Sequence, residues 1–155
     1  MQFYVVDMRI HDVMRKQVRT ILPTAPVSLA KELFRRYDIH HLVVLEAKEV
    51  VGVIADRDLL DVNGGDPQVK SVMAHPPVTI APDETPRKAA ALMTGHGIGS
   101  LPVIDEGKLV GIVTSYDLLA LLAKGTARPA PDRERPLLAR RSPKRKAVPA
   151  SLPRQ

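Results

Sequence analysis

Thr114, Ser115, Tyr116 and Asp117 set hydroxyls and a carboxylate in consecutive positions, where one kind of apolar pattern gives way to another. Residues 110–113 before them are apolar and β-branched, as in a buried strand. Leu118, Leu119, Leu121 and Leu122 after them have the spacing of a helix face. A strand that turns into a helix through such an elbow presents unpaired backbone N–H groups beside hydroxyls and a carboxylate. That chemistry suits a ligand carrying both sugar hydroxyls and phosphate. On this segment alone a second reading stands beside it, in which Thr114 or Ser115 caps the helix.

The elbow occurs twice. VVGVIADRDLL at residues 50–60 matches LVGIVTSYDLL 59 residues later, and the register runs without a gap from residues 13–60 onto 72–119. Val13 and Met14 fall on Val72 and Met73, Thr20 and Pro23 on Thr79 and Pro82, and Gly52 and Asp58 on Gly111 and Asp117. A fixed period of this kind marks a duplicated supersecondary unit whose core repeats because its packing repeats. Core packing does not require a carboxylate at a helix start, so the paired aspartates ask for another explanation.

The elements that must position the elbows read as β-α-β-β-α in each copy. Residues 20–23 form a brief strand ended by proline. Pro26 and Ser28 open a helix with Leu29, Ala30, Leu33, Phe34 and Tyr37 on its buried face. Two strands follow, at residues 39–45 and 50–55, and a helix near Asp56 closes the unit. Asn63 to Pro67 (NGGDP) punctuates the chain. The second copy retraces the first through a strand at 78–80, a helix at 86–96 and a strand at 100–104, with Pro102 where the first has Val43. Three segments are expected: a first repeat with its lead-in at 1–66, a second repeat at 67–124, and a tail at 125–155.

The 155 residues suffice for one domain with a real core. The net charge of +6 belongs to the tail, where nine Lys and Arg face only Asp132 and Glu134; that net of +7 leaves −1 for residues 1–124. The tail is rich in Pro and poor in apolar residues, and disorder is expected there. With no cysteine there is no disulfide framework or thiolate metal site. No apolar run approaches the roughly 20 residues that span a bilayer, and the N-terminus lacks a signal-peptide pattern. A cytoplasmic protein is the expectation.

These residues resemble a tandem pair of cystathionine-β-synthase-type (CBS) domains. The likeness rests on Val-Met opening each unit, the T-I-x-P element, I-x-x-LPV at residues 98–103, and the elbows G-h-h-T-x-x-D and G-h-h-A-x-x-D (h apolar). It covers residues 13–122. It implies an α/β (α+β) fold in which two pseudo-symmetric repeats pack as one module. It also implies clefts for AMP, ADP, ATP or S-adenosylmethionine, no obligatory cofactor, and dimerisation. By that resemblance Asp117 would hold ribose hydroxyls, with Thr114, Ser115 and Tyr116 beside it and Thr20, Ile39, His40 and His41 as the opposite wall. Asp58 would do the same in a second cleft, faced by Thr79, Ile98, Gly99 and Ser100, with Arg57 as a phosphate contact. Ala55 stands where Thr114 has its counterpart, so the Asp117 cleft is expected to be the stronger of two unequal sites.

Catalysis and metal binding find less support. No histidine base has a predictable place beside Ser115. His40 and His41 would face opposite sides of a strand and could not easily share an ion. The expected function is therefore a regulatory ligand-binding module, not an enzyme, working as a homodimer on a partner the sequence does not name. The apolar faces at residues 29–34 and 89–93 would supply the dimer patch. The alternative is a non-enzymatic scaffold or interaction protein with empty clefts, whose basic tail is the only segment suited to binding nucleic acid.

Overall fold

The computed structural model describes residues 8–124. The lead-in at residues 1–7 and the tail expected to be disordered lie outside them. A one-turn helix, α1 (Ile10–Val13), precedes the first unit of β1 (Thr20–Ile21), α2 (Val27–Tyr37), β2 (His41–Glu46), β3 (Glu49–Ala55) and a closing 3-10 turn (Asp56–Leu59). A 3-10 turn at Val69–Ser71 holds the position of α1 in the second copy. It leads to α3 (Pro86–His96), β4 (Ser100–Asp105), β5 (Lys108–Thr114) and α4 (Ser115–Ala123). The fold is mixed α+β, in two pseudo-symmetric halves.

Local chemistry sets these elements. In α2, Val27, Ala30 and Phe34 are buried along one face, and Asp66 caps the helix by accepting from the Ser28 N–H at 2.8 Å and from its hydroxyl. Thr85 caps α3 through the Lys88 N–H, Pro86 occupies its first turn, and Gly97 ends it in the left-handed conformation. Both hairpins turn on two residues with positive φ, Ala47 and Lys48 in the first and Glu106 and Gly107 in the second. Such turns match the twist of the strands they join.

Two expected elements differ. In the first unit β1 pairs parallel to β2, with the Val43 N–H donating to the Arg19 carbonyl at 3.2 Å. Its counterpart in the second unit is Pro102, which has no N–H to donate. The expected strand at residues 78–80 is therefore reduced to an isolated bridge between Ile80 and Val103. The expected helix after Asp56 is only a 3-10 turn, because Val62, Asn63 and two glycines at positive φ follow it. At the same place in the second unit, leucines and alanines carry α4 on to Ala123.

The two cores are assembled by exchange. The first gathers Ile21, Phe34, Leu42 and Ile54 from the first repeat, but also Val69, with Val72 and Met73 beside it, from the second. The second gathers Ile80, Met93, Leu101 and Val113 around Ile10, with Val13 and Met14 beside it, from the start of the chain. Each opening segment adds an antiparallel bridge to the other unit's hairpin: Arg15 pairs with Ile112, and Ala74 with Val53. The glycine of each elbow motif makes this crossing feasible. A Cβ on Gly111 would stand 2.6 Å from Met14 Sδ and 2.9 Å from the Arg15 carbonyl oxygen; on Gly52 the corresponding distances are 2.6 Å to Met73 Sδ and 2.8 Å to the Ala74 carbonyl oxygen.

The faces expected to form a dimer patch are largely consumed by these cores, since Ala30, Phe34, Ala89 and Met93 are all buried. Leu29 stays partly exposed on the first of these faces, while the most exposed apolar side chains among the described residues lie elsewhere, at Leu22, Leu60, Tyr116, Leu119 and Leu122. Among the described residues no helix is long and apolar enough to cross a membrane.

Candidate functional site

The two elbows share one backbone device and then diverge. Asp58 Oδ2 accepts the Ala55 N–H at 2.8 Å, and Asp117 Oδ2 accepts the Thr114 N–H at 2.8 Å. Each aspartate thus spends one oxygen fixing its own turn, so part of the recurring carboxylate is structural after all. Thr114 adds its hydroxyl to Asp117 Oδ2 at 2.9 Å, and Arg15 Nε reaches Asp117 Oδ1 at 3.3 Å. The Asp117 side chain is left 9% exposed. Asp58 has neither partner, and its Oδ1 makes no hydrogen bond among the described residues.

A cleft of about 470 Å³, counted out to its solvent mouth, opens at Asp58. One wall is β3 and its turn, with Val53, Ala55, Arg57 and Asp58. The facing wall is the second unit, with Ile98, Gly99 and Ser100. The opening segment of the second unit closes a third side through Ala74, Pro76, Pro77 and Val78. The lining is mainly apolar, with a carboxylate, a guanidinium, an imidazole and a hydroxyl at chosen points.

The polar groups are held in place. Arg57 spans the two units, its Nη2 donating to the Gly97 carbonyl at 2.7 Å. Ser100 is buried, and it pairs with Thr114 across the β4–β5 ladder. His41 starts β2 opposite Ala55. A Cβ on Gly99 would lie 3.2 Å from His41 Nε2, so glycine there lets the imidazole edge approach. Burial pushes the His41 pKa down, with help from His40 and Arg57 and against the pull of Asp56 and Asp58. The ring is neutral at pH 7 and offers one donor and one acceptor.

The expected site residues divide between cleft and surface. Arg57, Asp58, Ile98, Gly99 and Ser100 come together as anticipated in position, but Thr79 is exposed and its neighbour Val78 takes the wall. His41, expected opposite Asp117, lines the Asp58 cleft instead. His40 points elsewhere and is 70% exposed, with its Nδ1 2.7 Å from Asp56 Oδ2. Partial burial opposes the charge on Asp56, but the His40 contact and the Arg57 N–H outweigh it and hold its pKa below the usual carboxylate value. Ile39 packs against the first core, Thr20 is exposed at the sheet edge, and Tyr116 is 70% exposed. The Ser115 N–H donates to the Gly99 carbonyl at 2.9 Å. Sequence reasoning missed Ala74, Pro76 and Pro77. The repeat gave their counterparts as residues 15, 17 and 18, but nothing in it revealed that the opening segments change sides. Among the described residues no group of three or more His, Cys, Asp or Glu is disposed to hold a metal ion.

Two duplicated units joined across a cleft, each closed by an acidic elbow, define a tandem two-domain module. Comparison with protein families matches the CBS domain twice, at residues 10–65 and 69–124, and the chain belongs to that family. Inosine-5'-monophosphate dehydrogenase of Korarchaeum cryptofilum is 35% identical over 104 residues, 66% of this chain and 22% of the dehydrogenase. The CBS domain-containing protein YhcV of Bacillus subtilis is 32% identical over 114 residues, 70% of this chain and 81% of that protein. The chain thus spans about a fifth of the dehydrogenase's length. Among solved structures, the CBS domain pair of protein MJ0100 in complex with 5'-methylthioadenosine and S-adenosyl-L-methionine is 25% identical with a TM-score of 0.70; the match covers 75% of this chain and 98% of that one. CBSX2 in complex with AMP is 25% identical with a TM-score of 0.68, over 77% of this chain and 98% of that one. The hexameric CBS-CP12 protein from bloom-forming cyanobacteria is also similar, at 25% identity and a TM-score of 0.66, over 72% of this chain and 69% of that one.

Proposed function

We propose that this chain is a non-catalytic regulatory module that binds an adenosyl ligand in the Asp58 cleft. The observation that carries the proposal is a carboxylate oxygen without a partner among the described residues, on a residue lining a mainly apolar cleft. A ribose diol needs acceptors on one rigid group, and Asp58 is held rigid by its bond to the Ala55 N–H. Adenine needs a narrow apolar slot with backbone groups at its edge, for which Val53, Val78 and Ile98 are suited. Arg57 at the mouth gives a phosphate or carboxylate a planar cation to pair with. The 3-10 turn at Asp56 is too short to offer a sustained helix terminus, so anion binding rests on Arg57. The adenosyl complexes of MJ0100 and CBSX2 support the ligand class. This choice reverses the ranking of the clefts drawn from Thr114 and Ala55.

A thermal-shift panel of AMP, ADP, ATP, S-adenosylmethionine and NAD(H) tests the proposal. A ligand at 100 times its dissociation constant adds about 2.7 kcal/mol of stability, and at least one member of the panel is expected to raise the melting temperature clearly. A flat response across the panel would favour the scaffold reading.

The signal passes, in this proposal, through a homodimer. Tyr116, Leu119 and Leu122 lie three residues apart on α4 and stay exposed, so they form one apolar strip. Sedimentation of the full chain at micromolar concentration is expected to show a dimer that Leu119→Glu converts to monomer. A monomeric wild type, or a dimer indifferent to that substitution, would remove this surface from the proposal.

A further inference from the structure

We infer that Arg15 is a built-in occupant of the Asp117 elbow, so that the chain takes one adenosyl ligand, at Asp58, and not one at each elbow. The inference rests on the ligand class proposed above and assigns its stoichiometry. The two opening segments occupy equivalent places. Arg15 exchanges two backbone hydrogen bonds with Ile112, at 2.9 and 3.0 Å, and Ala74 exchanges two with Val53, at 2.9 and 3.2 Å. Side chains at these two positions therefore start from matching points above the two elbows. At one, the methyl group of Ala74 forms part of the open cleft wall. At the other, the guanidinium of Arg15 lies on Asp117 Oδ1, while the Thr114 N–H and hydroxyl hold Oδ2.

Both oxygens of Asp117 are thus engaged, and a ribose diol could reach that carboxylate only by displacing the arginine. Arg15 itself is 56% exposed, so the ion pair adds little to stability. Its effect is to fill the place where a diol would donate. At the Asp58 elbow the corresponding pair is Ala55 and Ala74, which leaves that place clear.

Isothermal titration of the full chain with AMP, ATP and S-adenosylmethionine, run separately, tests the inference. The wild type is expected to bind one equivalent of whichever probe it recognises. Arg15→Ala should gain a second site, and Ala74→Arg should lose the first. Two equivalents on the wild type, or a stoichiometry that Arg15→Ala does not change, would overturn it. Should no probe bind the wild type, the proposal for the Asp58 cleft fails on its own. Binding that then appears in Arg15→Ala would still uphold Arg15 as the occupant, and its absence there would overturn that role.

Discussion

Gly111→Ala is expected to lower the stability of the chain by about 2–4 kcal/mol, through overpacking and weakened bridge hydrogen bonds. The added methyl would stand 2.6 Å from Met14 Sδ, which can swing away, and 2.9 Å from the Arg15 carbonyl oxygen, which cannot. That carbonyl accepts the Ile112 N–H at 3.0 Å. Relief of the clash therefore pulls the opening segment off the second unit and loosens Ile10, which is fully buried in that core. Gly52→Ala should behave alike, since its methyl would meet Met73 and the Ala74 carbonyl. Gly95→Ala is the control. It lies within α3 with nothing near its missing Cβ, and alanine there should add about 0.5–1 kcal/mol through helix propensity. Thermal unfolding of the three variants gives the comparison, with a fall on the order of 10 °C expected for the first two. A Gly111→Ala protein as stable as the wild type would show that the crossing is looser than its distances imply.

Asp58→Asn should weaken adenosyl-ligand binding by about 1.5–3 kcal/mol, the worth of a hydrogen bond to a charged group. That is roughly 10- to 150-fold in dissociation constant. Asparagine keeps an oxygen for the Ala55 N–H, so the turn survives and the loss reports on the ligand alone. Alanine would also remove the cap and confuse affinity with stability. Asp117→Asn disturbs the Arg15 pair but not the proposed cleft, and its effect should stay within about threefold, well under one hydrogen bond's worth. Calorimetry on both variants decides the matter. A larger loss at Asp117 would restore the cleft order drawn from the hydroxyl of Thr114.

Much of this fold is legible in the sequence because the duplication prints each element twice. The hairpins, the long helices and the two acidic elbows all stand where the 59-residue register puts them. What escapes is anything that breaks the symmetry through a single atom. Pro102 lacks one N–H, and a strand becomes a bridge. Asn63 and its glycines stop a helix after a single 3-10 turn. The ranking proposed for the clefts likewise rests on features that a sequence hides. Thr114 looks like ligand chemistry in a sequence, but here its hydroxyl is occupied with its own elbow. The residues on which that proposal turns, Arg15 and Ala74, lie about a hundred and about twenty positions in sequence from Asp117 and Val53. Periodicity reports where a residue sits along a repeat, and it carries no information about which copy that residue packs against.

The exchange of opening segments bears on how such a duplication could have arisen. A single copy carries a hairpin with one edge uncovered and an opening segment with no hairpin of its own to cover. Two separate copies could satisfy both needs only by clasping each other, each lending its first turn to its neighbour. Joining them in one chain replaces that encounter with a tether, and short flexible tethers give effective concentrations in the millimolar range. The stretch around Asn63 to Pro67 is then more than punctuation. The cleft at Asp58 shares in that union, since its walls come from both copies and include the opening segment of the second.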